Sequence, residues 1–212
     1  LIAAEEALHT KGFAQLKSLK TVKKDEIENY FHQIESQVIT FSDSQNILDL
    51  MLTGSESFSD LRKDLNINDE ELVEKTSDVR RFFDNEFAPK FKADTGESIS
   101  VSQLIPSSAS GIIAQYLYIA GNDHPLGSKL KLNDPKDGSP YTKVHSVHHP
   151  IIRDFLEKFG YYDIFLVDHK SGDVIYSVFK EVDFATNLYT GPYKDSGLAE
   201  VVRKAARARS KD

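Results

Sequence analysis

The sequence predicts a mainly helical α+β fold, and three patterns point to it. Residues 2–41 carry apolar side chains mostly three or four positions apart, the spacing of one face of an α-helix. Further helical stretches follow, separated by cap residues, glycines and prolines. Residues 161–167 and 174–179 are two short apolar and aromatic runs on either side of a turn, which predicts a β-hairpin. We therefore expect a long-helix and helical-bundle region at 1–106 and a second region with the hairpin at 107–212.

The first predicted helix is about 60 Å long at 1.5 Å per residue. Its apolar positions are Leu8, Phe13, Leu16, Leu19, Val22, Ile27, Phe31, Ile34, Val38 and Phe41. A small domain cannot bury so long a stripe alone. Two interpretations stay open, a bundle helix weakened at Gly12 and a helix that pairs with another chain. The stripe is too irregular for a strict heptad coiled coil.

Three more helices are predicted before residue 121. Ser42 and Asp43 are cap residues, so a second helix is expected at 44–65. Asn68 is the expected cap of a third at 69–92, whose acidic first turn suits the positive end of the helix. Residues 107–120 are nearly all apolar, which predicts a buried helix.

The second half continues with a long loop, two helices and the hairpin. After the loop at 123–138, Ser139 and Pro140 predict a helix start, and Gly160 predicts its end. Pro150 is expected to kink or divide that helix. A last helix is predicted from Asp195 or Ser196 to about Ser210, with Arg203, Lys204, Arg207 and Arg209 near its end.

Strict alternation would place the hairpin's side chains on two faces. Val174, Tyr176 and Val178 would share one face, and Ile175, Ser177 and Phe179 the other. A two-stranded hairpin is marginal in water and exposes its edges. We therefore expect this one to pack on helices, to pair with another chain, or to be completed by further strands.

The amino-acid composition argues against several classes of function. Lysine and arginine number 26 against 33 acidic residues, a formal charge of -7, which argues against a nucleic-acid surface. Cysteine is absent, which excludes disulfides, thiol catalysis and thiolate zinc sites. No apolar run approaches the roughly 20 residues of a transmembrane helix.

Candidate site residues lie in the second half of the chain. His145 and His149 are four positions apart, so both rings fall on one helix face. They suit structural packing, a hydrogen bond to a ligand or a pH response, and metal binding is the weakest interpretation. Tyrosines such as Tyr118 and Tyr176 suit a pocket for a small polar molecule, to which Arg153, Lys180 and Asp183 would add charge. No paired nucleophile and base is found, so we expect no enzyme, no metal and no cofactor.

The hairpin region also carries a family resemblance. The runs YYDIFLVD, SGDVIYSVFKE, DFATNL and GPY resemble the core of the PAS-like (Cache) sensor domains of bacterial transmembrane receptors. The resemblance extends upstream through QYLYIAGNDHPLG and KKDEIENYFHQIESQVITFS, and is stronger after Ile113. It implies that the sheet and the loop after the second strand wall a ligand cavity. The amino-acid-binding motif of some double Cache receptors is absent, so no ligand is named.

The resemblance implies an extracytoplasmic ligand-sensing region, most like that of a methyl-accepting chemotaxis protein. A histidine kinase or a nucleotide cyclase is the alternative output, and a helical interaction module without a small-molecule ligand is the alternative class. The implied partners are a small molecule or a periplasmic binding protein, and a second copy of the chain along the first helix. The implied location is the periplasmic side of the inner membrane, with membrane anchors and the remaining strands outside this sequence.

Overall fold

The computed structural model describes the backbone from residue 2 to residue 208 and the side chains from residue 5 to residue 208. The chain divides into two compact units, Leu1–Ser44 and Gln45–Asp212. About 65% of it is helical, and the described residues contain a small sheet of two strands, which confirms the α+β, mainly helical fold class. The predicted boundary at 106/107 stays a prediction. No helix in the described part of the chain is both long and apolar enough to span a membrane.

The first unit is built on one long helix, α1 (Ile2–Ser42), as the sequence predicts. Most of its predicted stripe is solvent-exposed. Leu8 is 73% exposed, Phe31 63% and Val38 54%, and Leu16, Leu19, Val22 and Ile27 are exposed as well. The apolar stripe of α1 therefore faces water along several helical turns, and the expected pairing of this helix with another chain stays a prediction.

The second unit begins with four helical pieces. They are α2 (Gln45–Ser59), α3 (Leu61–Asp64), α4 (Asp69–Phe82) and α5 (Ala88–Thr95), and a π-helical segment, Phe83–Phe87, joins the last two. Asn68 and Glu71 form a reciprocal capping box at the start of α4. The prediction of one helix at 44–65 is wrong. The Ser110 hydroxyl donates to the Ser59 carbonyl oxygen at 2.9 Å, at the junction where the helix divides.

Three more helices complete the second unit. They are α6 (Ala109–Gln115), which continues as a second π-helical segment, Tyr116–Ala120; α7 (Pro140–Phe159); and α8 (Gly197–Arg207). Short 3₁₀ turns lie at Val101–Gln103 and Lys129–Lys131. Ser139 caps α7 and Ser196 caps α8, as predicted. The predicted end of the last helix, with Arg209 and Ser210, lies outside the described residues.

Pro150 does not divide α7, and the kink that the sequence offers as the alternative stays a prediction. A proline lacks the N–H that the carbonyl four residues earlier would accept. The helix is nevertheless continuous, because buried side chains on both sides of the proline, His149 and Ile152, anchor it to the core. Packing therefore outweighs one missing hydrogen bond.

The sheet is an antiparallel hairpin of β1 (Phe165–Val167) and β2 (Val174–Ser177). Both strands are shorter than predicted. The N–H groups of Val178 and Phe179 donate to the Asp163 carboxylate rather than to a strand, so that side chain replaces the last rungs of the ladder. At the end of the hairpin away from the turn, the Asp163 carboxylate therefore accepts the backbone hydrogen bonds that a longer β1 would accept.

A β-bulge changes which faces the hairpin side chains occupy. Leu166 pairs with Tyr176 and Val167 with Val174, so Ile175 is the extra residue. Val174 then packs with Leu188 and Ala199, whereas Tyr176 reaches α7. The prediction that Val174 and Tyr176 share a face is therefore wrong. Both faces of β2 are covered, and all four of its residues are buried.

Candidate functional site

Five aromatic and imidazole rings meet where the hairpin packs on α7. This tyrosine–histidine cluster consists of Tyr118, Tyr141, His145, His149 and Tyr176, and every member has no exposed surface. The rings of His145 and His149 stack with centroids 4.5 Å apart, as their spacing on one helix face predicts. The Tyr118 ring lies 4.5 Å from His145, and Tyr176 lies 5.7 Å from His149. The second π-helical segment, α7 and β2 each contribute to the cluster.

Hydrogen bonds define the histidine tautomers. The Leu130 carbonyl oxygen can only accept, so His149 donates to it from Nε2 at 2.7 Å. His149 Nδ1 then accepts from the Tyr176 hydroxyl at 2.7 Å. His145 donates from Nδ1 to the Asn133 carbonyl oxygen at 3.0 Å. These three ring nitrogens are therefore assigned as two hydrogen-bond donors and one acceptor.

The two histidines are neutral at pH 7. Burial lowers the pKa of His149 to about 3, and the charge of Lys180 acts in the same direction. Burial, followed by Lys180, holds the pKa of His145 well below 6.5. Burial also raises the pKa of Tyr118, Tyr141 and Tyr176. The cluster is thus a neutral polar core, and one buried amine lies against it.

That amine belongs to Lys180, which is 1% exposed. Its backbone is left-handed, with φ of 58°, a conformation that non-glycine residues seldom adopt. The ammonium donates to the Ser177 carbonyl oxygen. It lies 4.1 Å from the ring centre of Tyr176, 4.9 Å from that of Phe184 and 5.6 Å from that of Tyr118. Burial lowers the pKa of Lys180 to about 7, although the Asp163 charge opposes the shift.

Two carboxyl groups lie close to this core. Asp163 Oδ1 accepts from the backbone N–H groups of Ile164 at 2.6 Å, Val178 at 2.8 Å and Phe179 at 3.3 Å. Burial raises the Asp163 pKa, although these hydrogen bonds and Lys180 oppose the shift. Burial, followed by the charges of Asp163 and Glu181, raises the Asp183 pKa to about 6.

The structure brings together most of the predicted ligand-binding residues. Tyr118, His145, His149, Tyr176 and Lys180 belong to one buried core. Arg153 lies at its margin, where it donates to the same Leu130 carbonyl oxygen as His149 at 2.9 Å. Asp183 makes no side-chain hydrogen bond to the cluster in the described part of the chain. Whether these residues bind a ligand stays a prediction.

Sequence reasoning missed two central residues, Tyr141 and Asp163. Tyr141 donates to the Ile175 carbonyl oxygen at 2.6 Å and lies four positions before His145, so the helical spacing of 141, 145 and 149 could have revealed it. Asp163 had no comparable signal, because its role depends on the far end of the hairpin. Among the described residues, no group of three or more histidine, aspartate or glutamate side chains could hold a metal ion.

A groove of about 410 Å³ approaches this core from outside. It is lined in part by Tyr162, Lys180 and Glu181, so it reaches the segment that follows β2. Comparison with protein-family models, with curated proteins and with solved structures finds no match for the chain.

Proposed function

We propose that the chain is the extracytoplasmic ligand-sensing region of a bacterial transmembrane signalling receptor, most like a methyl-accepting chemotaxis protein. A histidine kinase or nucleotide cyclase is the alternative output. The observation that carries the proposal is the buried Lys180 among tyrosines and histidines beneath the hairpin. Burying a charged group costs free energy, and groups with strongly shifted pKa values concentrate at functional sites.

The proposed mechanism needs a ligand that distinguishes two conformations of the second unit. A ligand shifts such an equilibrium only by its differential affinity for the two states. The loop after β2 suits this role because Lys180 and Ala185 both have left-handed backbones, which store strain. The ligand is a small molecule or a periplasmic binding protein, and α1 pairs with its copy in a receptor anchored in the inner membrane.

The test is a thermal-shift screen against small metabolites, followed by a receptor chimera. A compound that binds the native state raises the melting temperature. The chain would then replace the periplasmic region of a chemotaxis receptor, and swimming bias would be measured with that compound. Tyr176→Phe should abolish the response, and the control Tyr189→Phe should keep it. A chimera that ignores every compound that stabilises the protein would refute the sensor function.

A helical interaction module is the second candidate, and the charge pattern of α1 favours it. Residues 11–24 contain the basic block Lys11, Lys17, Lys20, Lys23 and Lys24 and no acid. Residues 25–42 contain the acidic block Asp25, Glu26, Glu28 and Glu35 and no lysine or arginine. Two antiparallel copies would place opposite charges side by side, whereas two parallel copies would align like charges. Receptors in one membrane require the parallel arrangement, so orientation separates the two candidates.

Because the chain has no cysteine, disulfide cross-linking can measure that orientation directly. Leu19 and Tyr30 are exposed on the apolar side of α1 and are equidistant from the junction of the two charge blocks. Parallel pairing would link Leu19→Cys chains to each other. Antiparallel pairing would separate the two copies of position 19 by about 16 Å along the helix axis. It would instead bring Leu19→Cys in one chain close to Tyr30→Cys in the other, so those two variants would form the disulfide.

A further inference from the structure

Both π-helical segments of the second unit border the same groove. Phe83 and Phe87 belong to the first segment, Ile119 belongs to the second, and all three line the groove of about 410 Å³. A π-helical turn is rare and is found mostly as a single turn, frequently at functional sites. Both irregular turns therefore contribute residues to the lining of this groove.

Aromatic side chains form part of the walls of this groove. Phe83 is buried, and Phe87 and Phe91 continue a row of rings from it. The ring centres of Phe83 and Phe87 are 6.0 Å apart, and those of Phe87 and Phe91 are 5.9 Å apart. Leu126 also lines the groove, and Tyr162 stacks on Phe179 beside it. The volume falls within the range of roughly 300–1,000 Å³ typical of small-molecule sites. The walls therefore suit a flat apolar body.

The charges that line the groove differ in how they are compensated. Lys90 forms an ion pair with Asp94 at 3.5 Å. The Lys180 ammonium is turned into the tyrosine–histidine cluster and bonds the Ser177 carbonyl. Among the described residues, Glu181 has no ion pair and accepts a 3.0 Å hydrogen bond from the neutral Tyr162 hydroxyl. Glu181 is thus a negative charge beside aromatic faces, and both attract a cation.

We propose that this groove binds a small arylalkyl amine in its ammonium form. The ammonium group would bond the Glu181 carboxylate, and the aromatic body would pack against the partly exposed rings of Phe87 and Phe91. A carboxylate with the same body would meet the negative charge of Glu181 and lose affinity. This assignment names the ligand class of the proposed sensor and rests on that function.

The test is isothermal titration calorimetry, which measures the dissociation constants of 2-phenylethylammonium and of the matched anion 3-phenylpropionate for the whole chain. We expect the amine to bind at least tenfold more tightly than the anion. Glu181→Gln keeps the size of the side chain and removes its charge, and should weaken amine binding at least tenfold. Phe87→Leu should weaken it as well. The control Glu157→Gln, an exposed acid on α7, should leave it unchanged.

Equal binding of the two compounds, or unchanged amine binding by Glu181→Gln, would overturn the proposal. The absence of amine binding by the parent chain would also overturn it. Near-UV circular dichroism of each variant shows whether that variant is folded. The sensor function can fail separately. Amine binding without a response in the receptor chimera refutes the sensor and leaves the site intact. A chimera response to another compound, with no amine binding, refutes the site and leaves the sensor intact.

Discussion

Replacing Lys180 with methionine should remove a pH dependence of stability between pH 7 and pH 9. The Lys180 ammonium is buried, and its pKa falls from 10.5 in its ordinary environment to about 7. The groups that face it are Asp163 before β1, His145 and His149 on α7, Tyr118 on the second π-helical segment, and Tyr176 on β2. The histidines are neutral throughout this pH range, and the tyrosine pKa values are raised above it.

The sign follows from the protons bound in each state. Between pH 7 and pH 10.5 the unfolded chain keeps the Lys180 proton, and the folded chain has lost it. The free energy of unfolding therefore rises with pH, by about 1.4 kcal/mol per pH unit. From pH 7 to pH 9 the gain is about 2 kcal/mol, since the folded-state titration is only half complete at pH 7. For a chain of this size that is about 4 to 8 °C in melting temperature.

The assay is thermal unfolding followed by near-UV circular dichroism, in steps from pH 7 to pH 9. Tryptophan is absent, and eight of the nine tyrosines lie between residues 116 and 193, so the signal reports on the second unit. Lys180→Met should show a nearly flat profile, whereas the exposed control Lys143→Met should rise like the parent chain. A flat profile in the parent chain would show that the ammonium is not held in a dry environment, and the reasoning would fail.

Three other perturbations follow from the same core. Lowering the pH from 7 to 5 should reduce the free energy of unfolding by about 2 kcal/mol through His149, because only the unfolded chain takes up its proton, and His145 should add to this loss. The raised pKa values of Asp163 and Asp183 oppose the loss, and Asp183 returns about 1 kcal/mol. Urea titrations at the two pH values measure the net loss. Asp163→Ala should cost about 3 kcal/mol, since three backbone N–H groups lose their acceptor, and Asp163→Asn should cost less because it keeps one carbonyl oxygen. Equal losses in these two variants would contradict that role. Gly127→Ala should lower the free energy of unfolding by about 1 kcal/mol, and Gly172→Ala should lower it clearly more. Both glycines have positive φ, but an added Cβ meets a tyrosine ring at 2.5 Å only at Gly172, so similar melting temperatures would argue against that contact.

Signals that need only neighbouring residues predicted structure well. Asn68 with the acidic turn after it, Ser139 with Pro140, and Ser196 all mark helix starts that the structure contains. The apolar spacing of α1 predicted its length, because a helix of that kind depends on local hydrogen bonds. Signals that depend on distant partners were less reliable. Pro150 was expected to kink or divide α7, and the helix runs through this position without dividing.

The sequence by itself determined the fold class, the capped starts of three helices, the hairpin and the residue types of the candidate site. It placed His145 and His149 on one face, because helical spacing is a local property. Only the tertiary structure decided that Tyr176 turns towards those histidines, since a bulge at Ile175 resets the alternation of β2. The environment of Lys180 was likewise decided by the tertiary structure. Its burial and its lowered pKa arise from groups on separate elements, and their positions depend on how those elements pack.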